Sequence, residues 1–314
     1  MARFREAVVA GRPEELVWPS TLATPTTPEG PHAAAQWQDR RLGEILSRRL
    51  DLPQDDLERI ATTARAHSLR FGDAAVALGL ASPQDVFMAL ASQFRYACAA
   101  DANGVGRAEQ LMLRRPRSAQ AEAVRALRSE LSRQLFRDGS PGAALAVVSP
   151  QGQDGRSFLC ANLAVAWAQA GRRTLLIDAD LRGPRQHQIF GASQASGLSS
   201  LLAGRAGLDA IARVADVPGL CLLPAGPLPP NPLELVDGPV FRDLMGELAG
   251  RFDQIVVDTP AAVRGADALA IADRCAAALV VARRDVSRLN VLAELTQRLA
   301  QGSARLAGLV VNAP

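Results

Sequence analysis

After the punctuation Gly139-Ser140-Pro141-Gly142, short apolar runs alternate with helical stretches to the end of the sequence. The runs Ala144 to Val148, Thr174 to Ile177, Leu220 to Leu223, Gln254 to Val257, Ala278 to Ala282 and Leu306 to Val311 have the length and apolar character of strands buried on both faces. Helices are predicted between most of them. That order predicts an α/β fold, a mostly parallel sheet with helices on both faces. Just upstream, Val124, Leu127, Leu131 and Leu135 recur at three- and four-residue steps, which predicts an amphipathic helix over Gln120 to Arg137.

The N-terminal part has another texture. From about residue 36 the pattern is helical and repeats itself: Arg41-Leu42-Gly43-Glu44 is answered 29 residues later by Arg70-Phe71-Gly72-Asp73, and Pro53-Gln54-Asp55 is answered 30 residues later by Pro83-Gln84-Asp85. Two copies of one helical hairpin are predicted. In the second, Ser82 caps a helix that begins at Pro83, and Asp85 places a carboxylate near its positive end. Residues 1–35 are rich in Pro, Thr and Gly and read as an arm, and residues 99–118, with Asn103-Gly104, Gly106 and Arg114-Arg115-Pro116-Arg117, read as a linker. The expected organisation is an arm (1–35), a small all-α domain (36–98), a linker (99–118) and an α/β domain (119–314).

Composition narrows the function classes. The 314 residues are 48% hydrophobic, enough for one substantial core and a second, smaller unit. Net charge is +3, so bulk electrostatics do not call for nucleic acid as a partner. Cys98, Cys160, Cys221 and Cys275 lie far apart, without metal-type spacing, and no disulfide framework is expected. The N-terminus lacks the continuous apolar segment of a signal peptide, and no stretch reaches the roughly 18 apolar residues of a membrane span. A soluble, cytoplasmic protein is the expectation. All 35 cationic residues counted as lysine plus arginine are arginine.

That last fact bears on the chemistry. Ser149-Pro150-Gln151-Gly152-Gln153-Asp154-Gly155-Arg156-Ser157 lies between a predicted strand and a predicted helix, Arg156 to Ala170. This is the context of a phosphate-binding loop at a helix N-terminus, in which backbone N–H groups cradle phosphates, a lysine reaches the β- and γ-phosphates and the next hydroxyl ligates Mg²⁺. Pro150 takes the place of the first glycine of that pattern, and Arg156 takes the lysine's. Arginine keeps the charge, but its planar fork is bulkier than an ammonium group. Two further strands end in carboxylates: Ile177-Asp178-Ala179-Asp180-Leu181-Arg182 and Val257-Asp258-Thr259-Pro260. Ligands bind at such strand ends in open α/β sheets, where carboxylates hold Mg²⁺ and position an attacking hydroxyl.

With these residues in place, the chain from about 117 to 314 resembles the bacterial tyrosine kinase family, P-loop proteins that work with membrane polysaccharide co-polymerases in capsule and exopolysaccharide synthesis. The resemblance extends to Glu122-Ala123-Val124-Arg125-Ala126-Leu127-Arg128, which is similar to that family's assembly helix. It also includes Pro224-Ala225-Gly226 with Pro229-Pro230-Asn231-Pro232, and the terminal Gly308-Leu309-Val310-Val311-Asn312. It implies a P-loop NTPase fold, ATP and Mg²⁺ as cofactors, and a phosphate cradle of Gly152, Gln153, Asp154, Gly155, Arg156, Ser157 and Phe158. It further implies Ser157, Asp178 and Asp258 toward the metal, Asp178, Asp180, Asp258 and Arg156 in catalysis, and Asn312 against adenine. Glu122, Arg125 and Arg128 would join copies in a homo-oligomer held at the inner face of the membrane through the co-polymerase, in a pathway that controls chain length.

The chain also departs from that family. Gln153 stands where a glycine is usual, at a backbone position that suits φ > 0. Its single tyrosine, Tyr96, lies in the other domain rather than in a C-terminal cluster. Three functions follow as expectations: slow ATP hydrolysis or transfer to tyrosine, a catalytically weak nucleotide-sensing adaptor, and a positioning ATPase of the Par and Min type. The last carries an additional lysine where this chain has Gln151, and Min-type proteins end in a basic amphipathic tail that is not found before Pro314. In the N-terminal unit, Arg70-Phe71-Gly72, Gly79-Leu80, Val86, Ala89-Leu90 and Gln93 resemble the small helical domain of type II secretion and pilus ATPases. Some versions of it bind cyclic di-GMP, which would fall to Arg41 and Arg70.

Overall fold

The computed structural model describes residues 42–93, 109–135 and 143–313. The expected arm at 1–35, Arg41, Tyr96 and Cys98 lie outside the described residues. The chain divides into two compact units, the smaller holding residues 42–93 and the larger residues 109–313.

Four helices build the smaller unit: α1 across residues 42–50, α2 (Gln54–Ala66), α3 (Phe71–Ala77) and α4 (Pro83–Gln93). Their apolar faces meet in one core around Leu46, Ile60, Phe71, Ala74, Ala75 and Ala89. The repeated glycine has a packing reason, since a Cβ at Gly72 would lie 2.5 Å from Val86 Cγ1. The expected start of α4 is built as a reciprocal cap: Ser82 Oγ accepts from the Asp85 N–H at 3.1 Å while the Ser82 N–H donates to Asp85 Oδ2 at 3.0 Å. The left-handed turn after α3 falls on Gly79 (φ 70°), and the turn after α1 falls on Asp51 (φ 51°). The first copy thus keeps the turn without the glycine, because aspartate tolerates this backbone better than most residues.

The larger unit is a seven-stranded sheet in the order β3-β4-β2-β5-β1-β6-β7, parallel except for the antiparallel pair β3 and β4. Its strands are β1 (Ala143–Val148), β2 (Thr174–Asp178), β3 (Ala212–Arg213), β4 (Leu220–Leu223), β5 (Gln254–Asp258), β6 (Ala277–Arg283) and β7 (Arg305–Asn312). Six were predicted, within a residue or two at each end. The two-residue β3 was not, because Ala212 and Arg213 are exposed and carry no apolar run. Strands β1, β2, β4, β5 and β6 are buried almost throughout. Such burial on both faces requires helices above and below.

Those helices include α5 (Leu111–Arg114), α6 (Ala119–Leu135) and α7 (Arg156–Gln169). Further along come α8 (Gln186–Phe190), α9 (Leu198–Leu202), α10 (Pro232–Asp237), α11 (Pro239–Ala249), α12 (Asp267–Ala272) and α13 (Leu289–Gln301). Helix α7 is buried along nearly its whole length, which explains why its sequence is apolar on every side. Helix α6 covers it, and Trp167 Nε1 donates to Ser132 Oγ at 3.0 Å across the contact. Residues 109–118, read from the sequence as the end of a linker, are packed: Leu111, Met112 and Leu113 are buried. Asn162 on α7 holds them, donating from Nδ2 to Glu109 O at 2.7 Å and accepting from the Met112 N–H at 2.9 Å.

Candidate functional site

Strand β1 lies between β5 and β6, so the loop that leaves its carboxyl end opens beside the ends of β2 and β5. Asp178 and Asp258 are register partners on those two strands, which puts both carboxylates at the same level. Sheet topology therefore gathers the loop 149–157, Asp178, Asp180 and Asp258 at one edge, and β7 ends with Asn312 beside them.

The loop is braced from within. Asp154 is 1% exposed; its Oδ2 accepts from the Gln151 N–H at 2.9 Å, its Oδ1 from Ser287 Oγ at 3.1 Å, and its carbonyl from Asn312 Nδ2 at 3.1 Å. Gln153 has φ 68° and Gly155 φ 96°, so the left-handed backbone expected in this loop falls on a glutamine as well as on a glycine. The N–H groups of residues 152–158 donate to no acceptor among the described residues, and the first bond of α7 runs from the Leu159 N–H to Gly155 O. A row of unpaired N–H groups at the N-terminus of a 14-residue helix has the form of an anion cradle.

Two clefts meet at this cradle, sharing Gly155 and Phe158 in their walls. The larger, 1170 Å³, is lined by apolar groups of α6, β6 and β7, among them Val124, Leu127, Val281 and Val310, with Asn312 at its edge. The smaller, 440 Å³, is lined by Gly152, Arg156, Asp180, Arg185 and Arg264. An apolar chamber, an N–H cradle and a basic chamber in succession fit a base, its phosphates and their charge.

Arg156 does not reach along the cradle. Its guanidinium turns down onto the sheet edge, where Nε donates to Asp258 Oδ1, Nη1 to Ser149 Oγ and Nη2 to Asp180 Oδ2, each at 2.9 Å. Burial opposes the charge of this side chain, and the carboxylates of Asp258 and Asp180 overcome that opposition, so its pKa is raised. Gln186 closes the other side of Asp258, its Nε2 donating to Asp258 Oδ2 at 2.8 Å and to Ser157 O at 3.0 Å.

Asp178, expected at the metal and in catalysis, is turned to another task. It is fully buried, and its Oδ2 accepts from the N–H groups of Arg185 (3.0 Å) and Gln186 (2.8 Å) at the start of α8. Burial, and then the carboxylate of Asp258 beside it, push its pKa well above the usual carboxylate range. The folded state therefore holds a proton that the unfolded chain releases, and this group's contribution to stability falls as pH rises from the unfolded pKa through the folded one. Asp178→Asn keeps an oxygen for the two N–H groups and removes the ionisation. It is expected to gain stability relative to the native protein as pH rises above the ordinary carboxylate range, as measured by urea midpoints, whereas a difference that does not change with pH would contradict this account.

The carboxylates implied for magnesium, Asp178 and Asp258, do not fit it in this arrangement. Both oxygens of Asp258 are taken by Arg156 and Gln186. Those of Asp180 are taken by Arg156 and by the N–H groups of Arg182 and Gly183. Among the described residues, no group of three or more His, Cys, Asp or Glu is placed to hold a metal ion. A buried acceptor left over there, Gln186 Oε1, is a neutral amide oxygen and does not by itself make a magnesium site. Ser149, Gln186 and Ser287 carry no local signal of their tasks, which depend on contacts 7, 72 and 133 residues away.

Glu122, Arg125 and Arg128, expected to join copies, lie apart from this edge, on α6. Glu122 is exposed and pairs with Arg125 at 2.7 Å; Arg125 also donates to Pro116 O, and Arg128 donates to Ala166 O at 3.3 Å. Arg70 stands exposed at the start of α3 in the smaller unit, and its expected partner Arg41 lies outside the described residues.

Comparison with known proteins agrees with the geometry. Residues 145–314 match the family described as the CobQ/CobB/MinD/ParA nucleotide binding domain. The tyrosine-protein kinase wzc of Salmonella typhimurium is 32% identical over 191 residues, covering 61% of this chain and 26% of that protein. The chain thus spans about a quarter of that relative. The tyrosine-protein kinase CpsD of Streptococcus agalactiae is 32% identical over 175 residues, covering 55% of this chain and 75% of that protein. Among solved structures, the kinase domain of the Escherichia coli tyrosine kinase ETK superposes with a TM-score of 0.62 at 30% identity, over 65% of this chain and 79% of that one.

Proposed function

Since the chain belongs to the bacterial tyrosine-protein kinases of the CobQ/CobB/MinD/ParA nucleotide-binding family, we propose that it is an adenine-nucleotide-binding adaptor in which phosphoryl transfer is weak or lost. One observation carries this reading: Arg156, in the place of the lysine that would meet the β- and γ-phosphates, is bound to the same carboxylates that would have to act in transfer. Each disarms the other. The 152–158 N–H groups would hold the phosphates, and the apolar cleft ending at Asn312 would take the base and ribose. Asp258 and Asp180 already accept from guanidinium, amide and N–H donors, which compete with an attacking hydroxyl for their lone pairs.

Kinship supports a place in one pathway. A protein of this family with its transfer groups locked acts by changing shape or assembly with nucleotide, as the cytosolic partner of a membrane polysaccharide co-polymerase in exopolysaccharide or capsule synthesis and chain-length control. Among the described residues no helix is long and apolar enough to cross a membrane, so contact with the inner face of the membrane would come through that partner. Glu122, the exposed member of its trio, is the group left to face a neighbouring copy.

The test is equilibrium binding of fluorescent ATP together with single-turnover hydrolysis. Binding with hydrolysis at the background rate is expected. Hydrolysis that Asp180→Asn abolishes would restore the enzymatic reading, and failure to bind any adenine nucleotide would overturn both.

A further inference from the structure

We propose that Arg156 is a resident counter-cation, occupying the carboxylate edge of the sheet in place of a divalent metal, so that this protein binds its nucleotide's phosphates without magnesium. The inference rests on the nucleotide-binding reading above and concerns how that same site handles charge.

Each of the three nitrogens of the guanidinium fork donates to a different acceptor: Nε to Asp258, Nη1 to Ser149 and Nη2 to Asp180. An ammonium group is a compact point charge and does not present that planar three-way match. A hard divalent cation asks for near-octahedral oxygen ligands at about 2.1 Å, with waters making up the set. To bind these carboxylates directly it would have to compete with the guanidinium at Asp258 and Asp180, with Gln186 at Asp258 and with the Arg182 and Gly183 N–H groups at Asp180. Burial makes that exchange harder, since Arg156, Asp180 and Asp258 are all at least nine-tenths hidden from water.

The phosphates then need another source of positive charge, and the smaller cleft supplies one. Arg264 follows β5 on the loop 259–266 and is exposed at the cleft. Its Nη1 would stand 2.7 Å from a Cβ at Gly183, so the guanidinium lies across the loop where a side chain would otherwise be. Arg264 makes no ion pair among the described residues, whereas Arg185, also in that wall, is paired with Glu109 at 2.7 Å. The site thus divides its cations by task. Arg156 neutralises the carboxylates, and Arg264 with the 152–158 N–H groups is left for the phosphates.

The experiment is titration of the whole protein with fluorescent ATP in saturating Mg²⁺ and, separately, in EDTA. Dissociation constants that agree within about twofold are expected, with Arg264→Ala weakening binding about tenfold in both conditions. Arg156→Lys, which cannot fill the three-way fork, is expected to bind more tightly with Mg²⁺ than with EDTA. If the native protein binds about tenfold more tightly with Mg²⁺, Arg156 swings away when nucleotide enters and the inference is overturned while nucleotide binding stands. Absence of binding in both conditions removes the nucleotide reading itself.

Discussion

Arg156→Ala is expected to be the most damaging single change at the sheet edge, lowering the free energy of unfolding by about 3–5 kcal/mol. The reason is what it leaves behind. The Arg156 side chain is 8% exposed and lies between carboxylates that are 5% and 0% exposed, Asp180 and Asp258. Without the guanidinium those carboxylates face each other in a site that water scarcely reaches, with Asp178 beside them. A buried pair adds little stability over a well-packed apolar substitute, but a buried charge stripped of its partner is costly. For a unit of about 200 residues the loss corresponds to a fall of roughly 6–20 °C in the melting midpoint. Adding Asp258→Asn to Arg156→Ala removes one of the stranded charges and is expected to recover about half of that loss, so the two changes are strongly non-additive. Arg156→Lys should fall between native and alanine. An Arg156→Ala protein that melts within about 1 °C of the native would show that the fork does not hold this edge together.

The same contacts show why the site was only partly legible in the sequence. Its ingredients were visible: the loop 149–157 between strand and helix, and two strands that end in Asp178 and Asp258. Buried parallel strands declare themselves as continuous apolar runs, and capping boxes are local in sequence, so Ser82 could be read directly, whereas the backbone at Gln153 was legible only through the family resemblance. Partnerships could not. Arg156 meets Asp180 and Asp258 across 24 and 102 residues, and Gln186 meets Asp258 across 72. A missing lysine reads as a defect in a linear motif, and only the folded edge shows arginine serving the carboxylates. Asp178 is the converse case. Its place at the end of β2 suggests a ligand, yet the chain reverses so tightly after it that the Arg185 and Gln186 N–H groups claim its oxygen. The Leu111-Met112-Leu113 run was too short to distinguish from a linker, and its burial depends on Asn162, some 50 residues on.

Gly155→Ala is expected to weaken nucleotide binding about 10- to 100-fold while costing about 1–3 kcal/mol of stability. Two independent penalties meet at this residue. Its φ of 96° lies in the region that side chains disfavour, so alanine is strained there whatever the surrounding space. A Cβ would also stand 2.2 Å from Asn312 Nδ2, closer than any real contact, so the Asn312 amide must give way. That amide donates to Asp154 O and stands at the edge of the larger cleft, and Gly155 itself forms part of the wall between the two clefts. Displacing it loosens the brace of the loop and moves a group that lines the larger cleft at the same time. Asn312→Ala isolates the second effect, since it removes the amide without straining the backbone. Its expected loss in affinity is the smaller of the two, about tenfold, with little change in melting temperature. Fluorescent ATP titration of both variants alongside their melting curves separates the contributions. If Gly155→Ala binds as the native protein does, the N–H groups of this loop are not the phosphate cradle, and the nucleotide must be sought elsewhere on the fold.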